Sequence, residues 1–161
     1  NAFEMAEKIE MSNDERLERI EKMLFDMELD EFKEAHPYDL SGGEMQRLAL
    51  GKVLLQKPDI LIMDEPTKGI DSFFKEKMGT SLKCLQDTGI TVLMVTHDVE
   101  FTAKFADRVS MLFDGQIITS DETIELFKGN SFYTTDINRI FRDIDKGIIT
   151  LDMALEFMKR Q

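Results

Sequence analysis

Two neighbouring carboxylates, Asp64 and Glu65, follow the apolar run Ile60-Leu61-Ile62-Met63 and precede Pro66. An uninterrupted apolar run is expected of a strand buried on both faces. Its C-terminal end is where open α/β sheets bind ligands. Acids also begin turns for reasons unconnected with chemistry, so the pair alone carries two readings. Upstream, Ser41-Gly42-Gly43-Glu44 places a serine where a helix starts and a glutamate three residues later, the spacing of a capping box. The two glycines leave bare backbone that an anion can approach closely. Free N–H groups and the helix dipole both favour negative charge at such a tip, so phosphate is the expected guest. His97 follows a second apolar run, Thr91-Val92-Leu93-Met94-Val95. It is either a structural histidine held by backbone or a residue facing the same crevice as the two acids.

These residues need elements to hold them. Leu48, Ala49, Val53 and Leu54 continue a helix from Ser41 that stops before Pro58. Earlier, residues 1–9 read as helix. Ser12 with Glu15 caps the next one, in which Leu17, Ile20, Leu24 and Met27 recur at helical spacing. Residues 30–38 read as a short helix or turn, closed by Pro37. After Asp71, itself a candidate N-cap, a helix is predicted from Ser72 to about Asp87. Phe74, Met78, Leu82 and Leu85 form its apolar stripe and Gly89 ends it. Residues 90–95 read as a second buried strand. A short helix, residues 99–105, carries Phe101 and Phe105 on one side. Strands at 108–113 and 116–119 flank Asp114-Gly115, a type I′ hairpin signal. A helix is expected over 121–126, and two more in the tail, at about 135–142 and 151–160. The last has Leu151, Ala154, Leu155 and Met158 on one face. Strands alternating with helices indicate an α/β fold with a parallel core.

The 161 residues suffice for one domain with a real core. A net charge of −12 argues against a nucleic-acid partner, which needs a basic face. It also argues against docking on anionic lipid. No apolar run approaches the roughly 20 residues that span a bilayer, so no direct membrane insertion is expected. Cys84 is the single cysteine, which excludes an intrachain disulfide; a core or boundary position is expected of it. The methionines read as core filler. His36 reads as a surface or packing residue.

Leu40-Ser41-Gly42-Gly43-Glu44-Met45-Gln46-Arg47 resembles the signature motif of ABC-type ATPases. The stretch ILIMDEPTKGID, residues 60–71, resembles their Walker B strand, catalytic glutamate and D-loop, and TVLMVTHD, residues 91–98, is similar to their switch strand and histidine. The resemblance implies a partial P-loop NTPase core of the RecA-like kind, with part of a helical subdomain and a helical C-terminal tail. It implies ATP and Mg²⁺. Asp64 would belong to the magnesium shell through water, and Glu65 would orient and deprotonate the attacking water. His97 would contact the γ-phosphate. Ser41, Gly42, Gly43 and Gln46 would contact the γ-phosphate of a nucleotide held by a second ATPase domain, stacked head to tail. Asp71 would lie in the D-loop that crosses that dimer interface. Glu44 stands where the family pattern usually has glutamine, Ile70 where it has leucine, and Lys68 is less usual.

No G-x-x-x-x-G-K-[ST] sequence occurs, although ATPases of this class hold the β- and γ-phosphates with one. The chain therefore reads as the C-terminal part of a nucleotide-binding domain. Residues 1–40 would be a partial helical subdomain, 41–130 the C-terminal part of the core, and 131–161 an extension. Lys68-Gly69-Ile70-Asp71 and the tail resemble the second ATPase half of energy-coupling-factor importers. The resemblance thus implies ATP hydrolysis coupled to import of a vitamin or metal ion. It places the protein at the cytoplasmic face of a membrane through a transmembrane permease subunit, with the isolated chain inactive. Two other readings stay open: a docking or dimerisation module, and a non-transport ABC ATPase, which the acidic charge disfavours.

Overall fold

A computed structural model describes residues 12–130 and 133–160. The helix expected over residues 1–9 lies outside the described residues. The chain divides into two compact units. The first contains residues 12–74 and Cys84–Met94; the second contains Lys75–Lys83 and the chain from Val95 onward.

In the first unit, α1 (Asn13–Asp26) begins at a capping box. Ser12 Oγ accepts from the Glu15 N–H, and the Glu15 carboxylate accepts from the Ser12 N–H at 3.0 Å. Two short 3₁₀ turns follow, Asp30–Phe32 and Pro37–Asp39. His36 is an exposed cap for the second: its Nδ1 accepts from the Tyr38 N–H. Next comes α2 (Gly42–Leu54), capped by Ser41. Helix α2 packs closely on α1 because Gly51 has no side chain; a Cβ there would lie 2.3 Å from Met23 Sδ and 3.1 Å from Met27 Cγ. Ile20, Met23, Met27 and Leu29 are buried.

Strand β1 (Ile60–Asp64) pairs with β2 (Thr91–Val95) in a two-stranded sheet. The connection between them includes α3 (Ser72–Asp87), the kind of crossover that parallel neighbours require. The expectation that both strands are buried on both faces is overturned. Leu61 and Met63 are buried, whereas Ile60 and Ile62 are 60% and 69% exposed. Leu93 of β2 is likewise exposed. Alternate residues of a strand point to opposite faces, and only one face is covered here. Helix α3 ends as predicted, with Gly89 at φ +96, a conformation that a residue with Cβ rarely adopts. Cys84 is exposed rather than at the core or boundary position expected of it.

In the second unit, α4 (Val99–Phe105) is capped by Asp98, whose Oδ1 accepts from the Phe101 N–H at 3.0 Å. The Phe101 and Phe105 rings meet at 4.9 Å. Strands β3 (Arg108–Phe113) and β4 (Gln116–Glu122) form the antiparallel hairpin. Asp114 and Gly115 both have positive φ, as a type I′ turn demands. Strand β4 runs on until Glu122 faces Arg108, so α5 (Thr123–Gly129) starts two residues later than the sequence pattern predicts. Ala103, Leu126, Phe127 and Ile149 form the core of this unit, with Val109, Met111 and Met153 packed on it.

The tail holds α6 (Asp136–Phe141) and α7 (Leu151–Lys159). Asn138, wholly buried, ties the turn between them: its Nδ2 donates to the carbonyls of Lys146 at 2.7 Å and Ile148 at 3.1 Å. Its Oδ1 accepts from Thr134 Oγ1 at 2.8 Å. The apolar face expected of α7 is not one buried face. Ala154 is buried, while Leu151, Leu155 and Met158 are exposed.

Candidate functional site

Seven of the residues singled out in the sequence line one open cleft of about 690 Å³ in the first unit: Ser41, Gly42, Gly43, Gln46, Asp64, Glu65 and Asp71. Arg47, Lys68 and Gly69 complete the lining. His97 belongs to the other unit, in the exposed turn between β2 and α4.

One wall is the tip of α2. The Ser41 N–H donates to Glu44 Oε2 at 2.7 Å, and Ser41 Oγ accepts from the Glu44 N–H. The Ser41 N–H holds the Glu44 carboxyl below its ordinary range, helped by the Ser41 hydroxyl and the Arg47 charge. With the Glu44 N–H taken by the cap, Gly42 and Gly43 supply the remaining first-turn N–H groups, which no helical carbonyl can satisfy. An anion is the natural acceptor for them, because the helix dipole adds to their partial positive charge. The two glycines differ, however. A Cβ on Gly42 would meet nothing within 4 Å, whereas one on Gly43 would lie 3.1 Å from the Gly69 carbonyl oxygen. Gly43 is therefore small so that α2 can approach the Lys68–Gly69 turn.

The opposite wall is the end of β1 and the turn after it. Asp64 is exposed and Glu65 half-buried. Glu65 has φ +47, the left-handed region, at a residue that carries a Cβ. Its carbonyl accepts two hydrogen bonds, from the Lys68 N–H at 3.2 Å and from Gln46 Nε2 at 2.9 Å. Gln46 is thus turned onto the acidic turn of its own chain. Asp71 closes the wall and caps α3: its Oδ1 accepts from the Phe74 N–H at 3.0 Å. That bond is the main reason its carboxyl sits below the ordinary range, with Arg47 adding to it.

Arg47 was not among the residues expected to matter. Its guanidinium lies over the Phe74 ring, 4.9 Å from the centroid, and its Nε is buried without a hydrogen-bond partner. Helical spacing could have found it, since Gly43, Gln46 and Arg47 share one side of α2. The cleft therefore combines anion-seeking N–H groups and cations with two carboxylates at a strand end. That combination suits an anionic substrate attacked by a water from which a carboxylate can take a proton.

The donor set also bears on a metal. Among the described residues no cluster of three or more His, Cys, Asp or Glu side chains could cage an ion. Asp64 offers one hard oxygen donor at the mouth. This fits Mg²⁺, which keeps several waters and binds through one or two carboxylates plus substrate phosphate.

Comparison with known proteins extends this picture. Residues 1–68 match the family described as ABC transporter. The chain is 54% identical over 110 residues to a putative ABC transporter ATP-binding protein of Bacillus thuringiensis subsp. konkukian, covering 68% of this chain and 20% of that relative. It is 36% identical over 121 residues to the energy-coupling factor transporter ATP-binding protein EcfA2 of Clostridium perfringens, covering 73% of this chain and 42% of that protein. In structure it is similar to the dimeric ATP-binding cassette MJ0796 in a post-hydrolysis state bound to ADP and Pi. The TM-score is 0.69 at 33% identity, over 76% of this chain and 54% of that one. The chain thus spans about a fifth of the length of the Bacillus relative and about half of the cassette.

Proposed function

The chain belongs to the ABC transporter ATP-binding family, and on that premise we propose that it is the part of an ATPase subunit that completes two nucleotide sites at once. The observation that carries the proposal is the cleft, where an α2 tip with two spare N–H groups faces Asp64 and Glu65 at the end of β1. In this reading Ser41, Gly42 and Gly43 bind the γ-phosphate of ATP held by a second ATPase domain, with Gln46 beside them. Glu65 orients the attacking water and takes its proton. Asp64 would hold Mg²⁺ through water; the ion would supply charge neutralisation to the phosphates. Asp71 stands at the interface with the second domain, and His97 contacts the γ-phosphate. ATP binding draws two domains together and hydrolysis releases them, shifting a two-state equilibrium.

The boundaries proposed are a partial helical subdomain over 1–40, core over 41–130 and extension over 131–161. Similarity to EcfA2 and the Lys68-Gly69-Ile70-Asp71 turn support an energy-coupling-factor importer for a vitamin or metal ion. The partners are then a second ATPase domain and a transmembrane permease that keeps the subunit at the cytoplasmic membrane face. No helix among the described residues is long and apolar enough to cross a membrane. The 161 residues hold no P-loop sequence, so alone they neither bind Mg-ATP tightly nor hydrolyse it.

The test is Glu65→Gln in the full-length protein. Turnover should fall by orders of magnitude while ATP still drives association of the two domains. Turnover at the wild-type rate would remove Glu65 from this role.

A further inference from the structure

We propose that Gln46 is a positioning residue for Glu65, tying the anion-binding tip of α2 to the general base of the same chain. The inference rests on the function proposed above. Glu65 occupies the left-handed backbone region, which is costly for a residue with a Cβ and persists only where its surroundings impose it. Two donors impose it here. The Lys68 N–H closes the local turn on the Glu65 carbonyl, and Gln46 Nε2 grips the same oxygen from 19 residues upstream. The peptide plane that follows Glu65 is therefore held from its own turn and from another element, and that plane helps set where the carboxylate points. The bond is partly shielded from water, which strengthens it.

The chemistry of the side chain suits the task. A glutamine amide reaches a carbonyl with a neutral donor and brings no charge to a site that already balances carboxylates against a triphosphate. Gln46 lies one helical turn from Gly43, whose lack of a side chain lets α2 touch the Gly69 carbonyl. The tip of α2 and the turn from Glu65 to Gly69 are thereby joined at two points. In the two-domain assembly the tip serves one nucleotide and Glu65 serves the other. A phosphate seated on the tip steadies the general base that acts on the second nucleotide, so Gln46 couples the two sites.

The experiment uses the full-length protein in its assembled form, with Mg-ATP as the probe. Gln46→Met keeps the bulk and Gln46→Leu most of it; both remove the donor and neither adds a charge. Each should lower kcat by roughly three- to tenfold, the value of one partly shielded hydrogen bond. The loss should fall mainly on kcat, with a smaller change in KM for ATP and in ATP-driven association. In a Glu65→Gln background, either Gln46 substitution should lower the residual rate no further, because the group it positions is already gone. A wild-type kcat in both Gln46 variants overturns the inference, as does an equal loss in the Glu65→Gln background. If Glu65→Gln itself turns over normally, the functional reading falls first; if it is dead while the Gln46 variants are fully active, only the role of Gln46 falls.

Discussion

Gly42 and Gly43 are adjacent, both helical and both expected at an anion site, yet alanine should affect them oppositely. Replacing a helical glycine by alanine stabilises by about 0.5–1 kcal/mol through lost backbone freedom in the unfolded chain and better helix propensity. At Gly42 the new Cβ meets nothing within 4 Å, so the whole gain is kept. For a chain of this size that is about 1–4 °C in Tm. At Gly43 the Cβ would stand 3.1 Å from the Gly69 carbonyl oxygen, closer than an ordinary contact of 3.4 Å or more. The obstacle is backbone, and Gly69 is itself fixed in a turn at φ +73, so it cannot swing aside as a side-chain tip would. Overpacking of this kind costs about 1–3 kcal/mol, which cancels or exceeds the gain. Thermal unfolding followed by circular dichroism should place Gly42→Ala above wild type and Gly43→Ala at or below it. Equal stabilisation by the two substitutions would refute the claim that Gly43 is small in order to admit the Lys68–Gly69 turn.

Two further outcomes follow from the hydrogen bonding. Asn138→Leu deprives the carbonyls of Lys146 and Ile148 of their partner and leaves the Thr134 hydroxyl only its bond to the Phe127 carbonyl at 3.4 Å, and should cost about 3 kcal/mol or more in urea unfolding; a loss under about 1 kcal/mol would show that water replaces the amide. The Glu44 carboxyl is depressed chiefly by the Ser41 N–H, so the stability it contributes is full above the ordinary carboxylate range and lost as pH falls through its folded value. The gap in urea midpoint between wild type and Glu44→Gln should therefore change on acidification in the direction that disfavours wild type, and a pH-independent gap would contradict this.

The parts of the fold that sequence makes legible are those fixed by neighbours. Capping boxes at Ser12 and Ser41, the Asp71 cap and the Asp114-Gly115 turn depend on residues three or fewer positions apart, and all are present. What periodicity cannot supply is the direction in which a face points. Ile60 and Ile62 are as apolar as Leu61 and Met63, yet they lie on the uncovered side of β1. Leu151, Leu155 and Met158 recur at helical spacing on α7, but that stripe faces outward while Ala154 faces in. Long-range packing is equally silent: nothing beside Gly51 announces that Met23 and Met27 require its bare Cα. The cleft itself was legible as a set of residues. The grip of Gln46 on Glu65 was not, because it joins a helix side chain to the backbone carbonyl of a remote turn.

The most direct measurement mixes two full-length variants, each expected to be inactive alone. Ser41→Arg removes the cap and fills the proposed anion position at the α2 tip; Glu65→Gln removes the proposed general base. If the α2 tip serves the nucleotide of the opposite copy, a mixed pair regains one intact site, formed by Glu65 of the first variant and Ser41 of the second. The mixture should then recover turnover above the sum of the two variants and up to about a quarter of the wild-type rate, since half the pairs are mixed, each has one good site of two, and the Glu65 serving it belongs to the chain whose own tip is blocked. Turnover no greater than the sum of the two variants measured separately would contradict the composite site.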